Sequence, residues 1–473
     1  MKKQLIFGLM AGTMALSLTA CGGGNSETTA AASNDTQATA DSTAAAADST
    51  TAATDSTAAA GDSAAAASDW EGAEIAATLS GNVTYMHGGD DYERELYRGI
   101  FDDYEALAPG VKIEQLYVPS DYYTKLQTLA AGDSLPDIFT VGEGSLGLYA
   151  STGYLAPIDD YLKQYPALTA DLADGLIDFG NYEGVQYGMI GGYTGYVMYL
   201  NKDLFKEAGV DLPTTDWTVE DYKNIAAQMT KKSEDGSRVD VYGTAINNYR
   251  ADWINWMGNY DAEWFKDGKS NLTSPEAKQG LGVMYDLVQA GSAPSPGTVS
   301  ATGDSEDRLF IVGKVAMYPS GAWCVTSFRN ECDFEWDAIE MPKGTTHSSP
   351  FIGSLQCIGA TSDVKDVAAN ILSYQYSDAG MEPIIKNTLY IPGFKHLLER
   401  EDLMAFPPSA DAFRKCGEYI GSQSQLDVCK TGKSSEYYSI ISARLGEAFE
   451  GQTTLDEALA AIDEQANTTV FTD

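Results

Sequence analysis

Residues 187–217 constrain the fold of this chain more than any other stretch: Tyr-Gly-Met-Ile-Gly-Gly-Tyr-Thr-Gly-Tyr-Val-Met-Tyr-Leu-Asn-Lys-Asp-Leu-Phe-Lys-Glu-Ala-Gly-Val-Asp-Leu-Pro-Thr-Thr-Asp-Trp. Gly188, Gly191, Gly192 and Gly195 give a backbone that can bend and can approach another surface closely. Val197-Met198-Tyr199-Leu200 is apolar and short, which suits a buried strand better than a core helix. Asn201 is placed to cap a helix over Lys202–Ala208, and Gly209 to end it in a left-handed turn. Pro213 keeps the chain extended before Thr218-Val219-Glu220-Asp221, a capping box that opens the next helix.

Upstream of this stretch, strands and helices alternate. Asn82–Met86 reads as a strand running into His87-Gly88-Gly89-Asp90-Asp91. Leu96, Ile100, Tyr104 and Leu107 then share one helical face. A second strand is expected at Val111–Val118, a helix capped by Ser120 after it, and a third strand at Pro136–Val141 before Gly142-Glu143-Gly144. This order predicts right-handed crossovers and a mostly parallel sheet in an α/β fold. Ligands of such sheets sit beyond the carboxyl ends of the strands, which points at Asp90, Asp91 and Glu143. Downstream, Tyr222, Ile225, Ala226 and Met229 form another amphipathic face, so a second α/β lobe begins there. Tyr249, Trp253, Trp256 and Trp264 crowd the next interval. Ser274-Pro275-Glu276 starts a helix with proline in its first turn.

The amino-terminal region reads differently. Lys2 and Lys3 precede an apolar run, Leu5–Leu18, with small residues after it, the pattern of an export signal. The run is too short to span a bilayer, which takes about 20 apolar residues. From Gly22 to about Ser68 the composition falls to Ala, Ser, Thr, Asp and Gly. Asp41, Asp48, Asp55, Asp62 and Asp69 recur in a heptad that has no large apolar residue for a seam, so an acidic tether is expected rather than a coiled coil. The remainder is long enough for two domains. A net charge of −38 argues against a nucleic-acid partner and against lying on anionic lipid. Cys324, Cys332, Cys357, Cys416 and Cys429 leave an odd thiol in a monomer, with Cys324–Cys332 and Cys416–Cys429 as candidate bridges. His87, His347 and His396 are scattered and there is no Cys-x-x-Cys pair, so neither a metal site nor a cofactor is expected.

Four segments carry a family resemblance. Asn201–Gly209 resembles the Tyr-Asn-Lys-Asp-Leu-Phe-Lys-Glu-Ala-Gly segment of extracellular solute-binding proteins of the ABC sugar-transporter type, relatives of maltose-binding protein, with Leu200 in place of the tyrosine. Gly313-Lys314-Val315-Ala316-Met317 followed by Ser320-Gly321-Ala322-Trp323 resembles that family's Gly-Lys-Val-Ala-Met…Gly-x-Trp motif. Gly451–Leu459 resembles the start of its terminal helix, and Met341–Gly344 with Phe351–Ile358 its return crossing. Leu18-Thr19-Ala20-Cys21 also resembles a bacterial lipobox, which implies a lipidated Cys21. The resemblance implies a two-lobed periplasmic-binding-protein fold with a hinge and an interlobe cleft. The expected divisions are 1–20 signal peptide, 21–70 lipidated cysteine and tether, 71–192 with 358–397 first lobe, and 193–357 with 398–473 second lobe. It implies a monomeric lipoprotein on the outer face of the bacterial cytoplasmic membrane, with a carbohydrate ligand and an ABC permease as partners.

A neutral sugar wants carboxylates and amides for its hydroxyls and aromatic rings for its C–H faces. The resemblance places Trp323 as a stacking platform and Tyr438 near a second one, with Tyr437 as the alternative. Asp90 matches the family's hydroxyl acceptor after the first strand, while Tyr193 and Thr194 reach the ligand from the hinge. Tyr249 and Trp253 complete the set. Each aromatic also has a packing role open to it, and each carboxylate is one of 68 acidic residues, most of which serve solvation. Two other classes stay open. A glycoside-processing enzyme would use a carboxylate pair such as Asp90 and Glu143. A ferric-ion or other small-solute receptor of the same fold would use Tyr437-Tyr438.

Overall fold

The computed structural model describes residues 70–89, 91–388, 390–403, 410–419 and 421–472. The predicted strands form at Gly81–His87, Val111–Tyr117 and Ile138–Gly142, with the first pairing in parallel with both others. Between them, helix Asp91–Leu107 buries Ile100, Phe101 and Tyr104 against the sheet. The next helix, Tyr122–Ala131, begins one residue later than Ser120 would allow as a cap. Its N-cap is Asp121, in a left-handed conformation at φ 53° and without a capping side-chain bond. Strand Ser354–Ile358 runs antiparallel beside Ile138–Gly142 and takes Gly188–Met189 on its other edge, which completes a five-stranded sheet.

The second sheet is built around Tyr196–Asn201. Trp336–Glu340 and Val315–Gly321 flank it antiparallel, Val239–Thr244 lies parallel to the latter, and Lys231–Lys232 closes the edge. All six residues of Tyr196–Asn201 are buried, and alternation sends them to two different places. Tyr196, Met198 and Leu200 pack with Trp253, Trp256 and Met317 in a core of the second lobe. Val197 and Tyr199 join a core that extends into the first lobe. A strand covered on both faces has no polar alternation, which is why this run reads as continuously apolar. The helices around it form as expected: Asn201 Oδ1 accepts from Leu204 N at 3.0 Å, Gly209 has φ +67°, and Thr218 and Asp221 close a capping box.

The hinge glycines act by closeness rather than by bending. None has a positive φ. A Cβ on Gly192 would lie 2.3 Å from the Ile391 carbonyl oxygen, across the short pairing of Gly192–Tyr193 with Ile391–Pro392. One on Gly191 would enter the Tyr376 ring. Ser354–Cys357 belongs to the first sheet through its pairing with Val141 and its neighbours, so the return to the first lobe comes earlier than the expected boundary at 358. The chain later reaches the second sheet again with helix Ala410–Cys416, where Cys416 Sγ donates to the Tyr196 carbonyl at 3.2 Å.

The candidate disulfides are not formed, and all five described cysteines are free thiols. Helix Val325–Glu331 separates Cys324 from Cys332, and eight residues at 1.5 Å per residue put them roughly 12 Å apart, too far for a bridge. Burial pushes the Cys324 and Cys416 thiols up to about 12. No helix among the described residues is long and apolar enough to cross a membrane.

Candidate ligand cleft

Two adjoining chambers lie at the carboxyl ends of the two sheets and share one wall, Trp323. The first, of about 390 Å³, is lined by His87 at the end of the first strand, Thr140 from the third and Ser354 and Gln356 from the return strand. Tyr97, Tyr122, Tyr123, Tyr376 and Tyr390 make its walls largely aromatic. The polar groups are held in place from behind. Tyr122 donates its hydroxyl to the Thr140 carbonyl at 2.8 Å and accepts from Thr140 N at 2.9 Å. His87 Nδ1 lies 2.6 Å from the Gly88 carbonyl, and Nε2 lies 2.8 Å from Gln115 Nε2. These partners assign the proton to Nδ1, and burial pushes the imidazole below its usual range, so His87 is a neutral donor–acceptor.

The second chamber, about 450 Å³, sits past the ends of Val239–Thr244 and Val315–Gly321. Its floor is a polar network around Asp252, a fully buried residue on helix Arg250–Gly258. Asp252 accepts from the Tyr196 hydroxyl and from Asn247 N, both at 2.6 Å. The Asn247 side chain donates to the Pro319 carbonyl at 2.7 Å and accepts from the Tyr318 hydroxyl at 3.0 Å. Burial raises the Asp252 carboxyl to about 7, against an ordinary 3.8. The native state therefore holds this proton across a range in which the unfolded chain has lost it. Stability is expected to fall as pH rises from about 4 to 7 and to level off above that. Urea midpoints for wild type and Asp252→Asn across pH 4–8 check this: the wild type should lose ground to the variant within that window and not beyond it.

Trp323 follows strand Val315–Gly321 in a single 3-10 turn and is 47% exposed. Its ring lies where a Cβ on Gly321 would be, 2.1 Å from the ring atoms, so glycine at 321 is what lets the indole fold back beside Tyr196.

The other expected residues are distributed more widely. Thr194 lines the first chamber and donates its N–H to the Ile352 carbonyl at 2.8 Å. Tyr249 lines the second. Glu143 does end the third strand, but it is 3% exposed and its Oε1 accepts from Arg250 Nε at 3.1 Å, so that oxygen is engaged within the protein. Asp91 opens a helix at the surface, where its carboxylate is 80% exposed and pairs with Arg94. Tyr193 is buried against Phe351, and Trp253 is buried with Nε1 donating to Asn248 Oδ1 at 3.1 Å. Tyr438 is half-buried beside Trp253 and Tyr437 and lines neither chamber. Asp90 and Cys21 lie outside the described residues.

Sequence reasoning missed His87, Gln356, Asn247, Asp252 and Glu306. Asp252 had a usable signal: an acid set among Trp253, Ile254 and Trp256 on a helix whose every face is buried. Glu306 had none, being one acidic residue among many. A larger concavity of about 890 Å³ lies away from the cleft, between helices Val219–Met229 and Pro275–Gln289. Four of its charged side chains are paired with one another, Lys223 with Asp286 and Lys278 with Asp456.

The architecture has close structural counterparts. An ABC substrate-binding protein of Listeria monocytogenes, solved in complex with cycloalternan, superposes with a TM-score of 0.73 at 24% identity, covering 83% of this chain and 99% of that one. A Brucella abortus protein described only as a binding protein is 23% identical over 349 residues, 71% of this chain and 82% of the other. The diacetylchitobiose binding protein of Streptomyces coelicolor is 25% identical over 324 residues, 65% of this chain and 71% of the other. These likenesses agree with a two-lobed binding-protein fold. Residues 99–408 match the model of the bacterial extracellular solute-binding proteins, a span that takes in the whole second sheet, all of the first except strand Gly81–His87, and Trp323. With two sheets, the crossings between them and an aromatic cleft at their carboxyl ends, this chain belongs to the bacterial extracellular solute-binding protein family, whose members bind rather than transform their ligands.

Proposed function

We propose that the protein is a lipid-anchored receptor outside the cytoplasm that binds an oligosaccharide in a closing cleft and hands it to an ABC permease. The observation that carries this reading is the position of Trp323. A half-exposed indole shared by two chambers at the strand ends is a platform for a sugar face, and two adjoining chambers suit more than one sugar unit. The chemistry named for the Listeria and Streptomyces relatives, cycloalternan and diacetylchitobiose, supports the same class of ligand. Thr194, Tyr249 and Trp323 would contact the ligand directly. Closure would turn the lobes about the crossings at 189–196 and 340–354, as in other hinged receptors. Cys21, with its apolar leader, would carry the lipid, and the acidic stretch after it would hold the body off the membrane.

A thermal-shift series with mono- and oligosaccharides tests the reading, because a ligand at a hundredfold over Kd adds about 2.7 kcal/mol to the folded state. Oligosaccharides are expected to raise Tm without release of smaller sugars. Turnover would favour an enzyme, and no shift with any sugar would remove the carbohydrate reading. A colour on adding ferric iron would favour the iron receptor, although Tyr437 is buried and bonded to Ser270 at 2.6 Å. Cys21→Ser should release the mature body from the membrane fraction. Retention at unchanged mobility would remove the anchor.

A further inference from the structure

Most polar side chains of the second chamber are satisfied within the protein, and its one lining carboxylate is not paired with a cation. Among its lining residues, the Asn247 amide is bonded to Pro319 and Tyr318, and the Asn248 amide donates to the Ser442 carbonyl at 2.8 Å and accepts from Trp253. Ser320 Oγ lies 3.2 Å from Cys324 Sγ, and the Tyr249 hydroxyl accepts from Arg250. Glu306, half-buried at the chamber wall in the first turn of helix Glu306–Ile311, is the lining carboxylate, and among the described residues it makes no ion pair and no hydrogen bond to another residue, only one to its own backbone N–H. No lysine or arginine lines this chamber or the first. Arg250, stacked on the Tyr249 ring at 4.6 Å, is committed to Glu143. The charged and buried acid groups that line or underlie the chamber are thus Glu306 and, beneath the floor, Asp252.

A partly desolvated carboxylate without an ion-pair partner, in a chamber lined also by the Trp323 and Tyr318 rings, attracts a cation by charge, and aromatic lining favours a cation further through the ring quadrupoles. The same site repels an anion, which would meet no compensating cation. We infer that Glu306 sets the ligand class of the cleft: the second chamber seats a sugar unit carrying a protonated amine, and uronic or phosphorylated sugars are excluded. This rests on the carbohydrate reading above and narrows it to amino sugars.

The test is calorimetry at pH 6.5 with glucosamine oligomers, their N-acetylated counterparts and neutral gluco-oligosaccharides of the same length, on wild type and Glu306→Gln. Wild type is expected to bind the free-amine oligomers at least tenfold more tightly than either neutral series. Glu306→Gln should lose at least tenfold for the amine series and change less than threefold for the neutral ones, with Tm within a degree or two of wild type. Equal or weaker binding of the amine series in wild type overturns the inference, as does an unchanged amine affinity in Glu306→Gln. If the neutral series binds while the amine preference is missing, the carbohydrate reading survives this failure. If no series binds, both fall.

Discussion

Replacing Trp323 by alanine is expected to weaken ligand binding by roughly tenfold or more while leaving the melting temperature of the unliganded protein little changed. The indole is 47% exposed, so its outer face is in water before ligand arrives. A sugar laid on it removes apolar area from both surfaces. At about 25 cal/mol per Å², some tens of Å² contribute on the order of 1–2 kcal/mol. A packed core tryptophan behaves in the opposite way, losing about 3–5 kcal/mol of stability on truncation. Trp256, almost fully buried and stacked on Tyr222 at 5.5 Å, is the internal control. Titration calorimetry and a melting curve on Trp323→Ala and Trp256→Ala should therefore show inverse patterns. If Trp323→Ala melts far below wild type and still binds normally, the platform role is gone.

The second large effect is expected from Glu143. Its carboxylate leaves the first sheet and meets Arg250 on a helix of the second lobe, with only 3% of the side chain exposed. Glu143→Ala strands a half-buried guanidinium, and removing one member of such a pair is expected to cost about 2–3 kcal/mol, less than for a fully buried pair because water reaches Arg250. For a protein of this size that is a Tm lower by roughly 3 °C. The double variant Glu143→Ala/Arg250→Met removes the uncompensated charge and should be more stable than the two single losses added together. Simple additivity would show that the two side chains do not stabilise each other.

The architecture was legible because it is written in local patterns. The apolar run at Val197–Leu200, the Asn201 cap and Gly209 each act within one turn or one strand, and each formed where expected. Tertiary choices were less visible. Gly191 and Gly192 predicted a flexible joint, but what requires them is the Tyr376 ring and the Ile391 carbonyl, nearly two hundred residues away in sequence. Trp323 and Thr194 reached the chambers because a motif fixed their place relative to a strand. Glu143 and Asp91 satisfied the strand-end rule equally, yet neither lines a chamber and each is paired with an arginine, because the rule locates a region and says nothing of a partner such as Arg250 or Arg94. Asp252 belongs to a network assembled from distant segments and Glu306 reaches the chamber wall from a separate helix, and their identity as acids was lost among the many that only solvate the surface.

The connectivity of the first sheet also dictates an order of events in folding. Its strand Ile138–Gly142 waits for Ser354–Ile358, and every strand of the second sheet lies between them in the chain. During synthesis or export the first lobe therefore carries a hydrophobic strand with an open edge until most of the polypeptide has emerged. Closing so long a loop is slow, and an unpaired edge is a template for mispairing with other chains. The second sheet's central strand, Tyr196–Asn201, waits for Val315–Gly321 and Trp336–Glu340, a shorter wait that ends before Ser354–Ile358 is made. That sheet is the part equipped to fold first, with the nascent first lobe as the portion most in need of protection from self-association.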